Sequence, residues 1–300
     1  MNETLKGYLR LMRPANLPTA AADIIAGTAI SGIYSNTSGF SIEDQNALSG
    51  IIFLILSSIG LYAAGVVLND VFDVKVDMLE RPERPIPSGL ISVKSASIFG
   101  VVLLILGILS AFLVHMLCGM IALLLALSIV AYDSFSKRNP VAGPLNMGIC
   151  RGLNLLLGIS LLGALPHWWY VFVPVVYIAA ITLISRGEVH GNNKRHIIFA
   201  AILYAMVILS VIVLALLSHL GMFTILLFLL LFALLIYRPL WRAYVLNSPD
   251  NIKKAVIAGV LSLIVLDAAI AVGFSNLWLG LIVLLLLPLS LMLSKLFAVT

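Results

Sequence analysis

The stretch Asn69-Asp70-Val71-Phe72-Asp73-Val74-Lys75-Val76-Asp77, followed by Glu80-Arg81-Pro82-Glu83-Arg84-Pro85-Ile86-Pro87-Ser88-Gly89, decides how this chain is read. It comes just after the apolar run Ile51 to Leu68, so its acids emerge at the end of a helix long enough to cross a bilayer. In a helix, Asp70, Asp73 and Asp77 stand at i, i+3 and i+7, within about 60° of one another on one face. Three carboxylates so placed repel one another unless a cation neutralises them. Oxygen donors of this kind suit Mg²⁺, which keeps part of its water shell and binds protein carboxylates together with substrate phosphates. The arginines a few residues on would face the same phosphate oxygens. Cation and arginines beside an apolar bundle point to a substrate with a phosphate head and an apolar tail. The alternative is a solvated loop of acids and bases. Against it, the chain has only 13 acidic residues, and five of them fall between Asp70 and Glu83. Pro82, Pro85, Pro87 and Gly89 make the loop stiff, which suits a structure that holds ligands over a cavity.

Outward from this stretch the chain is overwhelmingly apolar. It is 62% hydrophobic and 10% charged, with a mean hydropathy of +1.13. That leaves too little polar surface for a water-soluble globule and implies a polytopic membrane protein. Ten apolar runs, near 14–34, 48–68, 93–113, 116–133, 144–164, 168–185, 197–217, 220–237, 254–272 and 276–297, are each close to spanning length. No signal peptide is expected; the first helix stays. Threading the runs puts all but one of the 18 Lys and Arg residues on or near one face, and the exception, Arg151, lies close to it. The opposite loops carry only Glu43 and Asp44 as charges. The positive-inside rule then places the N-terminus and the motif loops in the cytoplasm. The net charge of +5 is therefore topological and requires no nucleic acid. Cys118 and Cys150 lie in apolar segments and read as small buried residues. His115, His167 and His219 fall at outer turns, His190 and His196 inside, and none has zinc-site spacing.

Several polar residues stand out against this background. Residues 1–13 fit an interfacial amphipathic helix. Arg13-Pro14-Ala15-Asn16 places a guanidinium and an amide at the cytoplasmic mouth, where Asn16 either touches a phosphate or caps the helix. Asp23, inside the first span, either forms part of a polar acceptor pocket or pairs with Arg151. Gly32 to Ala47 reads as a flexible outer loop. Tyr132 is an interfacial aromatic by default, Lys137 and Arg138 are phosphate donors, and Asp133 could simply pair with Lys137. In the fifth span Asn146, Cys150 and Asn154 share a face with Arg151 close by, giving either a pocket wall or helix–helix hydrogen bonds. A second polar cluster follows the sixth span, Arg186-Gly187-Glu188 to Asn192-Asn193-Lys194, in which Glu188 and Asn192 are spaced to share a cation. Tyr237 to Lys254 reads as an aromatic, basic piece lying on anionic membrane lipids. Asp267, mid-span in the ninth run, receives no role.

These residues resemble the UbiA-type intramembrane prenyltransferase superfamily over most of the chain. Asn69, Asp70, Asp73 and Asp77 match its N-D-x-x-D-x-x-x-D signature. Arg84, Pro85, Pro87, Ser88 and Gly89 match its R-P-x-P-S-G, and Arg13, Pro14 and Asn16 its R-P-x-N. Tyr132 and Lys137 match its pair after the fourth helix. The resemblance implies an all-α bundle of nine or ten transmembrane helices around a central cavity, residues 1–300 forming one domain in a bacterial or archaeal cytoplasmic membrane. It implies Mg²⁺-dependent transfer of an isoprenyl group from an isoprenyl diphosphate to a lipid-soluble, by expectation aromatic, acceptor. Asn69, Asp70, Asp73 and Asp77 would take the first Mg²⁺, and Glu188 and Asn192 a second. Asp70, Asp73, Asp77 and Lys137 would be catalytic, and Asn16, Arg84, Arg138, Asn146, Arg151, Arg186 and Lys194 would bind substrate. No protein partner is implied. The family's second motif commonly carries D-x-x-x-D, whereas Asn192 supplies no charge. The other reading is thus a non-catalytic relative that binds or transports a hydrophobic precursor. The run from Arg186 to Gly191 also resembles, more weakly, the divergent EboC branch.

Overall fold

Backbone groups out of reach of water must be satisfied within their own segment, so the apolar runs become helices. The computed structural model describes residues 2–34, 42–188 and 191–297, and among them there are helices and no strand. The helices are α1 (Glu3–Met12), α2 (Leu17–Ile30), α3 (Ile42–Phe72), α4 (Val74–Glu80), α5 (Val93–Phe112), α6 (Met116–Ser134), α7 (Ala142–Ile159), α8 (Phe172–Ser185), α9 (Lys194–Leu217), α10 (Met222–Val245), α11 (Pro249–Phe274), α12 (Leu277–Leu284) and α13 (Leu286–Leu296). Their contacts close into a ring: α2 on α3, then α5, α6, α7, α8, α9, α10 and α11, which returns to α2. Large side chains cover the outside of the ring in lipid-facing rows, such as Ile98, Val102, Ile105 and Leu109 of α5.

Nine helical segments among the described residues are long and apolar enough to cross a membrane. The run 14–34 is the one that falls below that length: Pro14–Asn16 and the 14 residues of α2 follow one another in helix and carry the chain from Arg13, beside Asp70 at one end of α3, towards Ile42 at its other end. α2 is the buried strut of the bundle, with Ala22, Ile24, Ala26 and Ala29 fully enclosed. It packs on α7 backbone to backbone. A Cβ on Gly27 would lie 2.5 Å from the Leu155 carbonyl oxygen, and one on Gly158 would lie 2.6 Å from that of Ile24. Only glycine permits that approach. The last run forms one span in two pieces, α12 and α13, that break at Leu285. Pro288, which has no N–H to give to the preceding turn, accounts for the break.

Two expected loops are helical. The outer loop expected over 32–47 is taken up from Ile42 by α3, and residues 35–41 lie outside the described set. Tyr237 to Val245 continues α10 as a regular helix, so the basic aromatic piece is a helix end and not a separate element. His115 caps α6 by accepting the Leu117 N–H at 3.1 Å. His190, expected on the inner side, lies outside the described residues.

Candidate functional site

α3 ends at Phe72 and α4 begins at Val74, with Asp73 at the break (φ −93°, ψ 5°). Asp70 stands in the last turn of α3, Asp73 at the break and Asp77 in α4, so the three carboxylates flank the junction of the two helices. There each one meets a cation. Arg84 Nη1 lies 3.2 Å from Asp70 Oδ1 and 2.7 Å from Asp77 Oδ2, so one cationic nitrogen sits between two carboxylates. Arg13 Nη2 approaches Asp70 Oδ1 at 2.9 Å. Arg13 reaches it because its own backbone is left-handed (φ 48°), ending α1 just before Pro14. Lys137 Nζ lies 2.6 Å from Asp73 Oδ1. The expected Asp133–Lys137 pair is thus replaced: Asp133 Oδ1 accepts from Asn69 Nδ2 at 2.8 Å, and among the described residues its Oδ2 meets no donor.

Beneath these pairs a cavity of about 510 Å³ opens between α2, α3, α6, α7, α8 and α11. Arg13, Asn16, Asn69, Tyr132 and Asp133 line its charged end, while Leu125, Ile129, Ile178, Ile181 and Leu263 form an apolar wall further in. Asn16 occupies the N-cap position of α2, yet its side chain makes no cap bond and lines the cavity. Tyr132, read as interfacial, is part of the same wall. Arg81, one of the arginines expected to face phosphate, also lines it, as do Ser58 and Tyr62, which nothing in their local sequence marks out.

The second polar cluster contributes less. Glu188 lines the cavity, and burial pushes its carboxyl above the usual range, opposed by Lys253 and Arg81. Asn192 is exposed, at φ 53°, and is absent from the cavity wall. Its neighbour Asn193 is the structural residue, donating to the Ile184 carbonyl at 2.8 Å and holding the loop to the end of α8. Arg138, Arg186 and Lys194 are exposed. Arg186 donates to the Pro140 carbonyl, and Lys194 lies over the Tyr244 ring at 5.4 Å. Asn146 ties α6 to α7 instead of facing the cavity, accepting from Ser128 Oγ at 2.6 Å and donating to Ser136 Oγ at 3.1 Å.

The sequence profile of the UbiA prenyltransferase family matches residues 26–264. The chain belongs to the UbiA prenyltransferase family. Among curated relatives, the digeranylgeranylglyceryl phosphate synthase of Methanococcoides burtonii is 39% identical over 53% of this chain and 56% of its own length. That of Methanosarcina mazei is 37% identical over 54% and 57%. The chain therefore spans just over half the length of the curated relatives it matches. In fold it is similar to a UbiA homolog from Aeropyrum pernix K1, with a TM-score of 0.68, 17% identity, and coverage of 85% of this chain and 97% of that one. A UbiA homolog from Archaeoglobus fulgidus bound to DMAPP and Mg²⁺ gives 0.64 at 20% identity, covering 89% and 99%. At these identities the likeness is one of fold.

Among the described residues, no three His, Cys, Asp or Glu side chains converge on one point as they stand. Asp70 and Asp77 nevertheless converge on a single cationic nitrogen, that of Arg84, and the donors around it are hard oxygens suited to Mg²⁺. The site fits a divalent cation once its ion pairs open.

Proposed function

We propose that this membrane protein is an Mg²⁺-dependent prenyltransferase, moving an isoprenyl group from an isoprenyl diphosphate to a lipid-soluble acceptor inside the bilayer. The observation that carries this reading is the exchangeable set of ion pairs at the cavity mouth. Asp70, Asp73 and Asp77 face Arg13, Lys137 and Arg84. An incoming Mg²⁺ diphosphate offers both partners a replacement: carboxylates for the metal, guanidinium and ammonium groups for phosphate oxygens. When bound, the cation neutralises charge building on the departing pyrophosphate.

In this reading Asn69, Asp70, Asp73 and Asp77 hold the first cation, and Glu188 is the one member of the second motif placed to reach another. Arg13, Arg84 and Lys137 take the phosphate oxygens, with Asn16 beside them. The apolar wall of Leu125, Ile129 and Ile181 receives the isoprenoid chain and excludes water from the breaking bond. The allylic C–O electron pair leaves with pyrophosphate, the acceptor's electron pair closes the new bond, and the acceptor gives up a proton. Asp133, whose Oδ2 meets no donor among the described residues, is the carboxylate of the wall suited to take it. Asn146, Arg138, Arg186 and Lys194 stay outside this site. The curated relatives are named for a glyceryl phosphate product, so a hydroxyl acceptor has as much support as the aromatic one expected from family resemblance. The charge distribution supports both termini and the acidic loops facing the cytoplasm.

The exposed, left-handed Asn192 favours a second reading, a binding protein that transfers nothing. Purified protein in lipid nanodiscs, supplied with Mg²⁺, geranylgeranyl diphosphate and membrane lipid extract, separates the two. Mg²⁺-dependent pyrophosphate release coupled to a new prenylated lipid is expected. Saturable diphosphate binding with no product, restored to turnover by Asn192→Asp, would establish the binding protein instead.

A further inference from the structure

Behind the cavity's apolar wall lies a second polar group that a diphosphate at the mouth does not require. The close α2–α7 contact at Gly27 and Gly158 brings Asp23 against Arg151 and Asn154. Arg151 Nε lies 2.6 Å from Asp23 Oδ2, and Arg151 Nη2 donates to the Thr19 carbonyl at 2.5 Å. Asn154 Nδ2 donates to Asp23 Oδ2 at 2.8 Å and to the Ala20 carbonyl at 3.1 Å. Its Oδ1 accepts from Ser58 Oγ at 2.7 Å. From α11, Asp267 completes the group: it lies beside Asp23, and among the described residues neither Asp23 Oδ1 nor Asp267 Oδ2 meets a hydrogen-bond donor. Asp23 and Asp267 are 0% and 2% exposed, so water does not serve them.

One donor in the group is left over. Arg151 lines the cavity, and among the described residues its Nη1 donates to no protein oxygen, while Nε and Nη2 are held from behind. Held at two nitrogens, the guanidinium cannot swing to the mouth. Thr19, which anchors it, lies one helical turn inward from Asn16, so Arg151 presents its free edge about 4.5 Å deeper than the phosphate end. A charged donor facing an apolar cavity is costly unless an oxygen meets it.

Charge decides what kind of oxygen. Asp23 is the counter-charge of Arg151 at 2.6 Å, so the guanidinium is already compensated within the group, whatever Asp267 carries. A second anion brought to this depth would be uncompensated, whereas a hydroxyl or carbonyl oxygen adds a hydrogen bond without adding charge. We propose that Arg151 Nη1 is the recognition point for an uncharged oxygen, hydroxyl or carbonyl, on the acceptor lipid, and that Asp23 and Asp267 are positioning residues that aim it. The inference rests on the transferase reading only in calling this ligand an acceptor.

The test uses the full chain in nanodiscs with tritiated geranylgeraniol as a probe alcohol, the hydrocarbon phytane as competitor, and protein-free nanodiscs subtracted. Wild type is expected to prefer the alcohol. Arg151→Lys keeps a charge for Asp23 but loses the forked donor, and it should weaken alcohol binding about tenfold while leaving phytane unchanged. Asp267→Asn should weaken it about threefold, a smaller loss since Thr19 still holds Nη2, with Asp267→Glu recovering most of it. Affinity for Mg²⁺ geranylgeranyl diphosphate should stay within about twofold in all three variants, because the mouth residues are untouched. Equal binding of alcohol and hydrocarbon by wild type, or an Arg151→Lys loss that falls on the diphosphate, overturns the proposal. An alcohol preference that depends on Arg151 in a protein that makes no prenylated product would sink the transferase reading while leaving this subsite standing.

Discussion

At the mouth of the cavity, Asp70, Asp73 and Asp77 meet Arg13, Lys137 and Arg84 from loops and helix ends. At its floor, Asp23, Arg151 and Asp267 meet from the interiors of three helices. The chemistry of the two groups is alike, and their surroundings are not. The outermost mouth groups, Arg13 and Asp73, keep 21% and 28% of their side chains exposed, with Asp70 and Asp77 at 7% beneath them, against 9% for Arg151 and none for Asp23. Mouth pairs can trade a partner for a ligand at small cost, because water and neighbouring ions replace what is lost. Floor pairs cannot, because no replacement reaches them. One cluster is thus suited to exchange charge with a substrate, and the other to hold a fixed shape.

The largest expected effect tests the exchanging cluster. Asp73→Asn should lower prenyl transfer by about 10²–10³-fold, as should chelation of Mg²⁺, with little change in thermal stability. Pyrophosphate release beside a melting curve reads both; turnover that survives both treatments would show that the mouth is only a structural ion-pair network. The next test bears on the floor. Asp23→Asn strands Arg151 and should destabilise the fold by about 3 kcal/mol. Arg13→Gln, which leaves Asp70 with Arg84, should cost about 1 kcal/mol. Equal losses in detergent denaturation would erase the distinction between the two clusters. Gly158→Ala should destabilise by about 2 kcal/mol, because its Cβ would meet the Ile24 carbonyl oxygen at 2.6 Å and part α7 from α2. Glu188→Gln, altering the one second-motif side chain on the wall, should reduce transfer about tenfold. The smallest change is expected of Asn192→Asp, less than about threefold, since that exposed side chain points away from the chemistry and Asp also tolerates its left-handed backbone. A large gain from it would mean that the second cation site lacks only a charge.

Much of this was legible beforehand. The spanning helices follow from runs of apolar residues, and the acidic motif announces itself by standing at the end of one. Arg84, seven residues from Asp77, was readable as a phosphate-facing arginine, and the structure adds that it pairs with Asp70 and Asp77. Lys137 was not, because Asp133 is its obvious neighbour in sequence and Asp73 its neighbour only in space. Asn146 and Asn154 share a helix face by spacing, yet the first bonds to α6 and the second to Asp23 and Ser58. Helical periodicity says which residues share a side, not what stands opposite.

What the sequence determined by itself is the membrane class, the helices, and a carboxylate cluster at the end of one of them. Hydropathy and the 3.6-residue period act within single segments, so a single segment reveals them. Only the tertiary structure decided that α2 is the buried strut of the bundle, that Lys137 serves Asp73, and that Asp267 lies beside Asp23. Each of those depends on how closely remote helices approach, which glycines such as Gly27 and Gly158 permit without announcing the partner they admit.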